Sequence, residues 1–275
     1  MGFKIQNNLE SLVSIRNLEK NQNQFAKLVE RLSSGSSINR ASDNAAELSD
    51  ISRLKAEIKS LDMAGRNIME ATSTLQVAEG GMSQVEQMMV RMKELATQAA
   101  SSNGGQNLDI INQEISSLSS EINRVVESTE YNGVKLLDGS YITEYQVGDK
   151  NTADNQFNLQ ISDISTASIK GGAELNSNIN SITDAQDLIS DLDESMDYLA
   201  AKRADVGVYA NRLDYQQSNL LVAIENKIAA ESVIADADMA NEISEFTKTQ
   251  ILLQADTAIL AQTNAASQVG MNLLK

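Results

Sequence analysis

Asp184, Asp187, Asp191, Asp193, Glu194 and Asp197 crowd into one short stretch at helical spacings. Carboxylates so placed are the raw material of a two-carboxylate hydrolase, with one group as general acid and the other as base, whose activity would be tested by its dependence on a divalent metal. The same spacing also describes the solvated face of a helix, and an acidic run of this kind reads first as such a face. The rest of the composition supports that reading. There is no His and no Cys, which removes disulfides, thiolate and imidazole metal sites, and Ser/His or Cys/His nucleophilic catalysis. No catalytic residue, cofactor or metal is assigned, and the chain is not expected to be an enzyme.

The carboxylate run opens a heptad. Ile182, Ala185, Ile189, Leu192, Met196, Leu199, Arg203, Val206, Ala210, Leu213, Gln217, Leu220 and Ile224 recur in steps of three and four. Leu192, Leu199, Val206, Leu213 and Leu220 keep the period of seven throughout, whereas Arg203 and Gln217 interrupt the other half of the seam. This predicts a helix over 182–232. Its natural partner lies earlier, where Ile51, Leu54, Ile58, Leu61, Gly65, Ile68, Thr72 and Leu75 form a seam that continues after one extra step of three as Ala78, Met82, Val85, Met89, Met92, Ala96 and Ala99. The extra step is a stammer. One helix over 44–102 would be ~85 Å long at its standard rise. Asn44 and Glu47 form a capping box at its start. Gly80-Gly81 opposes continuity, since each glycine costs about 1 kcal/mol in a helix interior, but the uninterrupted helix is the expectation. Gly65, Gly80 and Gly81 allow a close helix approach or a bend, and Met82, Met88, Met89 and Met92 read as packing residues.

The 275 residues include no Pro and no Trp, ten Met and 4% aromatics, so the apolar surface must be spread along helix seams. Net charge is −16, which disfavours nucleic acid and anionic membranes as partners. The ends differ in sign. Residues 1–31 hold Lys4, Arg16, Lys20, Lys27 and Arg31 against Glu10, Glu19 and Glu30; residues 236–275 hold Lys248 and Lys275 against Asp236, Asp238, Glu242, Glu245 and Asp256. Segments of opposite charge are suited to pack together.

Leu18, Phe25 and Leu32 recur every seven residues, with Ile15 and Val29 at the alternate positions, predicting an N-terminal helical arm. Ser33–Asn44 is a turn. A helix over 108–128 is expected from Ile111, Ile115, Leu118, Ile122 and Val125, folded back on the long one. The period changes to two in 130–162, where β-hairpins are expected around Gly133, Gly139 and the 148–155 loop. Residues 162–180 read as the most exposed connection. The last helix, about 238–274, carries Ile251, Leu252, Leu253, Ile259 and Leu260 on more than one side, so other chains must bury it.

Four segments resemble bacterial flagellin: VERLSSGSSINRASDNAAELSDISRL (29–54), VRMKELATQAA (90–100), STEYNGVKLLDGS (128–140) and NEISEFTKTQILLQADTAILAQTNAASQVGMNLLK (241–275). The resemblance implies a mostly α subunit: a long antiparallel coiled-coil rod with a small β-hairpin region and coaxial terminal helices. Arms 1–38 with 236–275 would form the filament core and 39–235 the surrounding rod. Only 162–180 remains for the large variable outer domain of many flagellins, so the form is minimal. The implied function is a structural subunit that polymerises into the bacterial flagellar filament for swimming motility, with Leu18, Phe25, Leu32, Phe246, Ile251, Leu252, Ile259 and Leu260 as polymerisation residues. Type III export, secretion, an export chaperone gripping the C-terminal arm, and filament-cap and hook-junction partners follow from the same resemblance. The family also implies recognition by an animal Toll-like receptor. The similar residues here are Arg91, Glu94, Leu95 and Gln98, with Glu114 from the next helix; Leu95 lies outside the seam and is expected to be free. Val90 and Lys93 stand where recognised members have Gln and Arg. The competing readings are a hook-filament junction protein, which shares the terminal pattern, and a cytosolic coiled-coil scaffold, which would assemble without its last residues.

Overall fold

The computed structural model describes residues 9–101, 107–169 and 178–272, with side chains as far as 266. In chain order the elements are α1 (Leu9–Ser34), α2 (Ala45–Ala99), α3 (Leu108–Ser128), β1 (Glu130–Tyr131), β2 (Val134–Lys135), β3 (Ile142–Gln146), β4 (Gln156–Gln160), α4 (Thr166–Ile169), α5 (Ile182–Ala235) and α6 (Met239–Asn272). They divide into two compact units: residues up to 56 with those from 225 onward, and residues 57–224.

The 57–224 unit is built on the α2 seam. Leu61, Ala64, Ile68, Ala71, Leu75, Ala78, Met82, Val85, Met89, Met92, Ala96 and Ala99 are all buried, an unbroken alternation of threes and fours. The extra step of three therefore falls between Leu61 and Ala64, and not after Leu75 as the sequence suggests. Ala71 is buried and Thr72 only partly so; alanine gives too weak an apolar signal to be chosen over its neighbour. Asn44 caps α2 by accepting the N–H groups of Ala46 and Glu47 at 3.2 and 3.3 Å.

The helix passes through Gly80-Gly81 without a break, and the two glycines differ in kind. A Cβ on Gly80 would meet nothing within 4 Å, whereas one on Gly81 would lie 2.7 Å from Leu137 Cδ1 and 2.9 Å from Thr129 Oγ1. Gly81 is the place where the end of α3 and the residues after β2 press onto α2. α3 runs antiparallel to α2, since Arg91 reaches Glu114 while Gly81 meets Thr129. Its buried residues include Ile111, Ile115, Ile122, Val125 and Val126.

α5 also runs antiparallel to α2: Gly65 faces Leu220, Arg203 pairs with Glu79 and Glu86, and Lys93 pairs with Asp193. Ser181 and Asp184 begin it with a reciprocal cap. The Ser181 hydroxyl accepts the Asp184 N–H at 3.2 Å, and the Asp184 carboxylate accepts the N–H groups of Asn180 and Ser181 at 2.9 and 3.0 Å.

β1 and β2 pair antiparallel through Tyr131↔Val134. Asn132 and Gly133 between them both have positive φ, 52° and 77°, as a two-residue type I′ turn requires. β3 pairs with β4 over Ile142↔Gln160 to Gln146↔Gln156, joined by the 147–155 loop. Phe157 and Leu159 point inward and Asn158 and Gln160 outward, the period-two pattern of a half-buried strand. Gly139 is not a hairpin turn: it links the two ribbons and packs on Asp163. Buried hydroxyls join the second ribbon to α2, with Tyr141 and Tyr145 oxygens 2.7 Å apart and Thr74 3.5 Å from Tyr145. Burial pushes the Tyr145 phenol well above its ordinary value.

The connection expected to be most exposed is packed where it is described. Ile164, Thr166, Ile169 and Ile179 are buried. The Asn123 side-chain oxygen accepts the Thr166 N–H and hydroxyl, and the Asn112 amide bonds both main-chain groups of Ile179. Residues 170–177 of that stretch, and 102–106 of the loop after α2, lie outside the described residues.

In the other unit α1 and α6 lie side by side and antiparallel. Ser37 donates its N–H to Ala235 O at 2.7 Å, and Ala237 donates to Gly35 O at 2.9 Å, which stitches the turn after α1 to the turn before α6. Ile38, Ile51 and Ala235 make a small buried cluster there.

Candidate functional site

The arrangement most in need of a partner is the α1–α6 pair. Two helices can bury only one stripe of each, and here that stripe is thin. The buried side chains are Ser14 and Leu28 on α1 and Thr249 on α6. Leu18, Phe25, Leu32, Phe246 and Leu260 are half-buried, as the heptad expectation implies, but Ile15 and Val29 are exposed. The alternate positions of the contact are Ser14, Asn21 and Leu28. Two of these are polar, so the apolar pattern could not reveal them.

The contact is held by mixed chemistry. The rings of Phe25 and Phe246 stack with centroids 4.9 Å apart. Asn21 donates its amide to the Asp256 carboxylate at 2.6 Å, and Arg31 pairs with Glu242 at 3.3 Å. The positive arm therefore does lie against the negative one. Asp43 braces the adjoining turn by accepting the N–H groups of Arg40 and Asn39, and these bonds, that of Arg40 first, hold its carboxyl below the ordinary aspartate value.

What α1 and α6 leave uncovered is apolar. Leu9 and Leu12 on α1 are 70% and 61% exposed; Ile243, Ile251 and Ile259 on α6 are 53%, 60% and 50% exposed, and Leu252 is exposed as well. Ile251 and Leu252 are adjacent and so about 100° apart around the helix. α6 thus shows apolar residues on more than one side, beyond what α1 alone covers. Leu9, Val13, Ile259 and Thr263 line an open groove of about 360 Å³ between the two helices. Leu9 and Leu12 lie outside the α1 heptad of Leu18, Phe25 and Leu32, and Ile243 outside the apolar cluster around Ile251 and Ile259, so the sequence pattern does not mark them.

The second candidate patch lies on α2 and α3. Arg91, Glu94 and Gln98 are exposed on one flank of α2. Arg91 donates to Glu94 at 2.9 Å and to Glu114 at 3.0 and 2.9 Å, and these partners, Glu94 first, hold the guanidinium above its ordinary value. Leu95 does not join them on the surface. It is 3% exposed and part of the core, which corrects the expectation that it is free. It lies beside Ala96 on the inward face, where α2 is covered broadly enough to bury a position outside the seam.

The carboxylate run gives no common site. Asp184 caps α5, Asp193 pairs with Lys93, and Asp187, Glu194 and Asp197 are exposed. Among the described residues no group of three or more carboxylates could hold a metal ion, and no helix is long and apolar enough to cross a membrane. Arg203, which interrupts the α5 heptad, bridges Glu79 and Glu86 across the seam.

Comparison with known proteins bears on the whole chain. Residues 5–142 match the family model of the bacterial flagellin N-terminal helical region, and 189–274 that of the C-terminal helical region. Flagellin of Halalkalibacterium halodurans is 39% identical over 273 residues, covering 98% of this chain and 99% of that protein. Flagellin of Bacillus subtilis is 33% identical, covering 99% and 100%. A solved structure assigned to a flagellar hook-associated protein of Vibrio parahaemolyticus shares the fold, with a TM-score of 0.59 at 16% identity over 71% of this chain and 99% of that one. The relatives are matched from the α1 arm to the α6 arm, with little room for an added outer domain between β4 and α5, and on this the assignment rests: the chain belongs to the bacterial flagellin family.

Proposed function

We propose that the chain is a structural subunit of the flagellar filament, polymerising through α1 and α6. The observation that carries this reading is the apolar surface those helices leave exposed, on Leu9, Leu12, Ile243, Ile251, Leu252 and Ile259. Copies of the same helices bury it, at about 25 cal/mol per Å² of apolar surface removed from water, offset by the ordering of side chains at the interface. Residues 1–38 with 236–275 act as the filament core, and Phe25 and Phe246 join the arms within each copy. The filament serves swimming motility, and the subunit is secreted to reach it. Before export a chaperone holds the C-terminal arm in a groove, reading Ile251, Leu252, Ile259 and Leu260 as helical anchors; cap and hook-junction proteins receive the same arms at the filament ends. The receptor patch implied by the family consists here of Arg91, Glu94, Gln98 and Glu114, with Leu95 supporting it from below.

Truncation tests the reading. Deleting 1–31 or 241–275 is expected to leave a soluble, partly helical protein that forms no filaments in negative-stain microscopy under polymerising salt. Filaments from either truncated chain would refute assembly through the arms.

A further inference from the structure

The α2–α5 seam has a register problem. On α2 the buried positions repeat every seven residues, with Leu61, Ile68, Leu75, Met82 and Met89 in one row. On α5 they repeat as Leu192, Leu199, Val206, Leu213 and Leu220. Sliding one helix past the other by a heptad, about 10 Å at 1.5 Å per residue, would again set aliphatic against aliphatic. Burial alone discriminates poorly between the registers.

The charges do discriminate. In the observed register Arg203 lies between Glu79 and Glu86, donating through Nε to Glu79 at 3.0 Å and through its terminal nitrogens to both carboxylates. Lys93 pairs with Asp193. A slide of one heptad in one direction would leave Arg203 between Thr72 and Glu79 and bring Asp193 to Glu86, carboxylate against carboxylate. A slide the other way would set Arg203 between Glu86 and Lys93, cation against cation, and leave Asp193 at Ala100. Each alternative breaks two attractions, one of the two Arg203 pairs and the Lys93–Asp193 pair, and adds one repulsion.

We infer that Arg203 and Lys93, with Glu79, Glu86 and Asp193, are the register-determining residues of the α2–α5 pair. Their contribution is to specificity more than to stability: side chains 28–53% exposed form pairs of modest strength, whereas like charges across a seam are penalised in the wrong alignment alone. Arg203 is therefore the heptad's specificity element and not a flaw in it.

The chain has no cysteine, so two can be placed cleanly. Ser60→Cys on α2 and Ala204→Cys on α5, both exposed, carry spin labels in the full-length monomer, and the distance between them is read by pulsed electron resonance. The starting chain should show one distance. Arg203→Met with Lys93→Met should keep its helicity and add a second population displaced by about 10 Å. Arg203→Glu with Glu79→Arg, Glu86→Arg, Lys93→Glu and Asp193→Lys, which exchanges every sign and so keeps a repulsion in each shifted register, should restore the single original distance. One unchanged distance in the methionine variant overturns the inference. If that variant unfolds, the charge-exchanged chain decides: a folded protein with the original distance supports the lock, and any other result overturns it. The readout is taken on the monomer, so it stands or falls independently of filament formation.

Discussion

The two compact units differ in what their helices cover. In the 57–224 unit α2 is enclosed by α3, α5 and the hairpins, and Met82, Val85, Met89 and Met92 have no exposed surface. In the terminal unit, among the described residues, α1 and α6 have essentially one neighbour each, and Leu9, Leu12, Ile243, Ile251 and Ile259 stay half exposed or more. One sequence style, heptads of aliphatic residues without proline, gives opposite outcomes. The number of neighbours decides whether such a stripe becomes a core or an interface.

The sharpest way to break this contrast is one substitution in each unit. Ile251→Ser removes an apolar group that is 60% exposed. It should change the thermal midpoint of the monomer by no more than ~0.5 kcal/mol equivalent, as surface changes do, yet abolish polymerisation as followed by light scattering. Met89→Ala empties a site with no exposure and should cost about 2–5 kcal/mol in urea unfolding, while the surviving folded fraction still polymerises. If Ile251→Ser destabilised the monomer as much as Met89→Ala, the distinction between interface and core would fail.

A smaller effect separates two neighbouring positions within one unit. Gly80→Ala meets open space and should stabilise the helix by up to about 1 kcal/mol. Gly81→Ala places a methyl 2.7 Å from Leu137 and 2.9 Å from Thr129 and should cost about 1–3 kcal/mol through overpacking. Unfolding midpoints of the two single variants give the answer, and equal shifts would mean that the contact on Gly81 is soft.

The long helices were legible because their period is sustained, and a pattern over many heptads outvotes a pair of glycines. What the sequence hid was decided by contacts distant along the chain. Ala64 and Ala71 are buried, and Asn67 and Thr74 on either side of Ala71 reach the β3–β4 ribbon, but alanine is nearly silent in an apolar pattern, so the sequence puts the extra step of three too late. Ile164 and Ile179 sit in a stretch without periodicity, and their partners lie far along the chain: Ile164 donates its N–H to Leu137 O, and Asn112 of α3 bonds the main chain of Ile179. In the terminal unit the polymerisation candidates Phe25 and Phe246 turned out to face each other within one chain, whereas Leu12 and Ile243 point away from it. A heptad gives the spacing of a stripe and does not say which partner covers it. Ser181 and Asp184, in contrast, were readable as a capping pair at spacing three. The acidic run around them, which reads as a solvated helix face, masks that signal.

That cap gives the smallest of the expected effects and a pH dependence with a definite sign. The N–H of Asn180, then the Ser181 hydroxyl, then the Ser181 N–H hold the Asp184 carboxyl below its ordinary value, and its charge also lies at the N-terminus of α5, where the helix dipole favours an anion. A carboxyl that is more acidic when folded contributes stability at pH values above its unfolded value, about 3.9, and that contribution disappears as the pH falls through the folded value. Asp184→Asn retains the shape of the cap without its charge. The variant should therefore unfold at a slightly lower urea concentration than the parent at neutral pH, with the gap closing steadily below about pH 4. Ser181→Ala, which removes the other half of the cap, should cost ~1 kcal/mol at neutral pH; the part that comes from the hydroxyl's hold on the Asp184 carboxylate fades in acid, and the part that comes from its bond to the Asp184 N–H stays. A gap for Asp184→Asn that widened in acid would reverse the sign and refute the role of the charge.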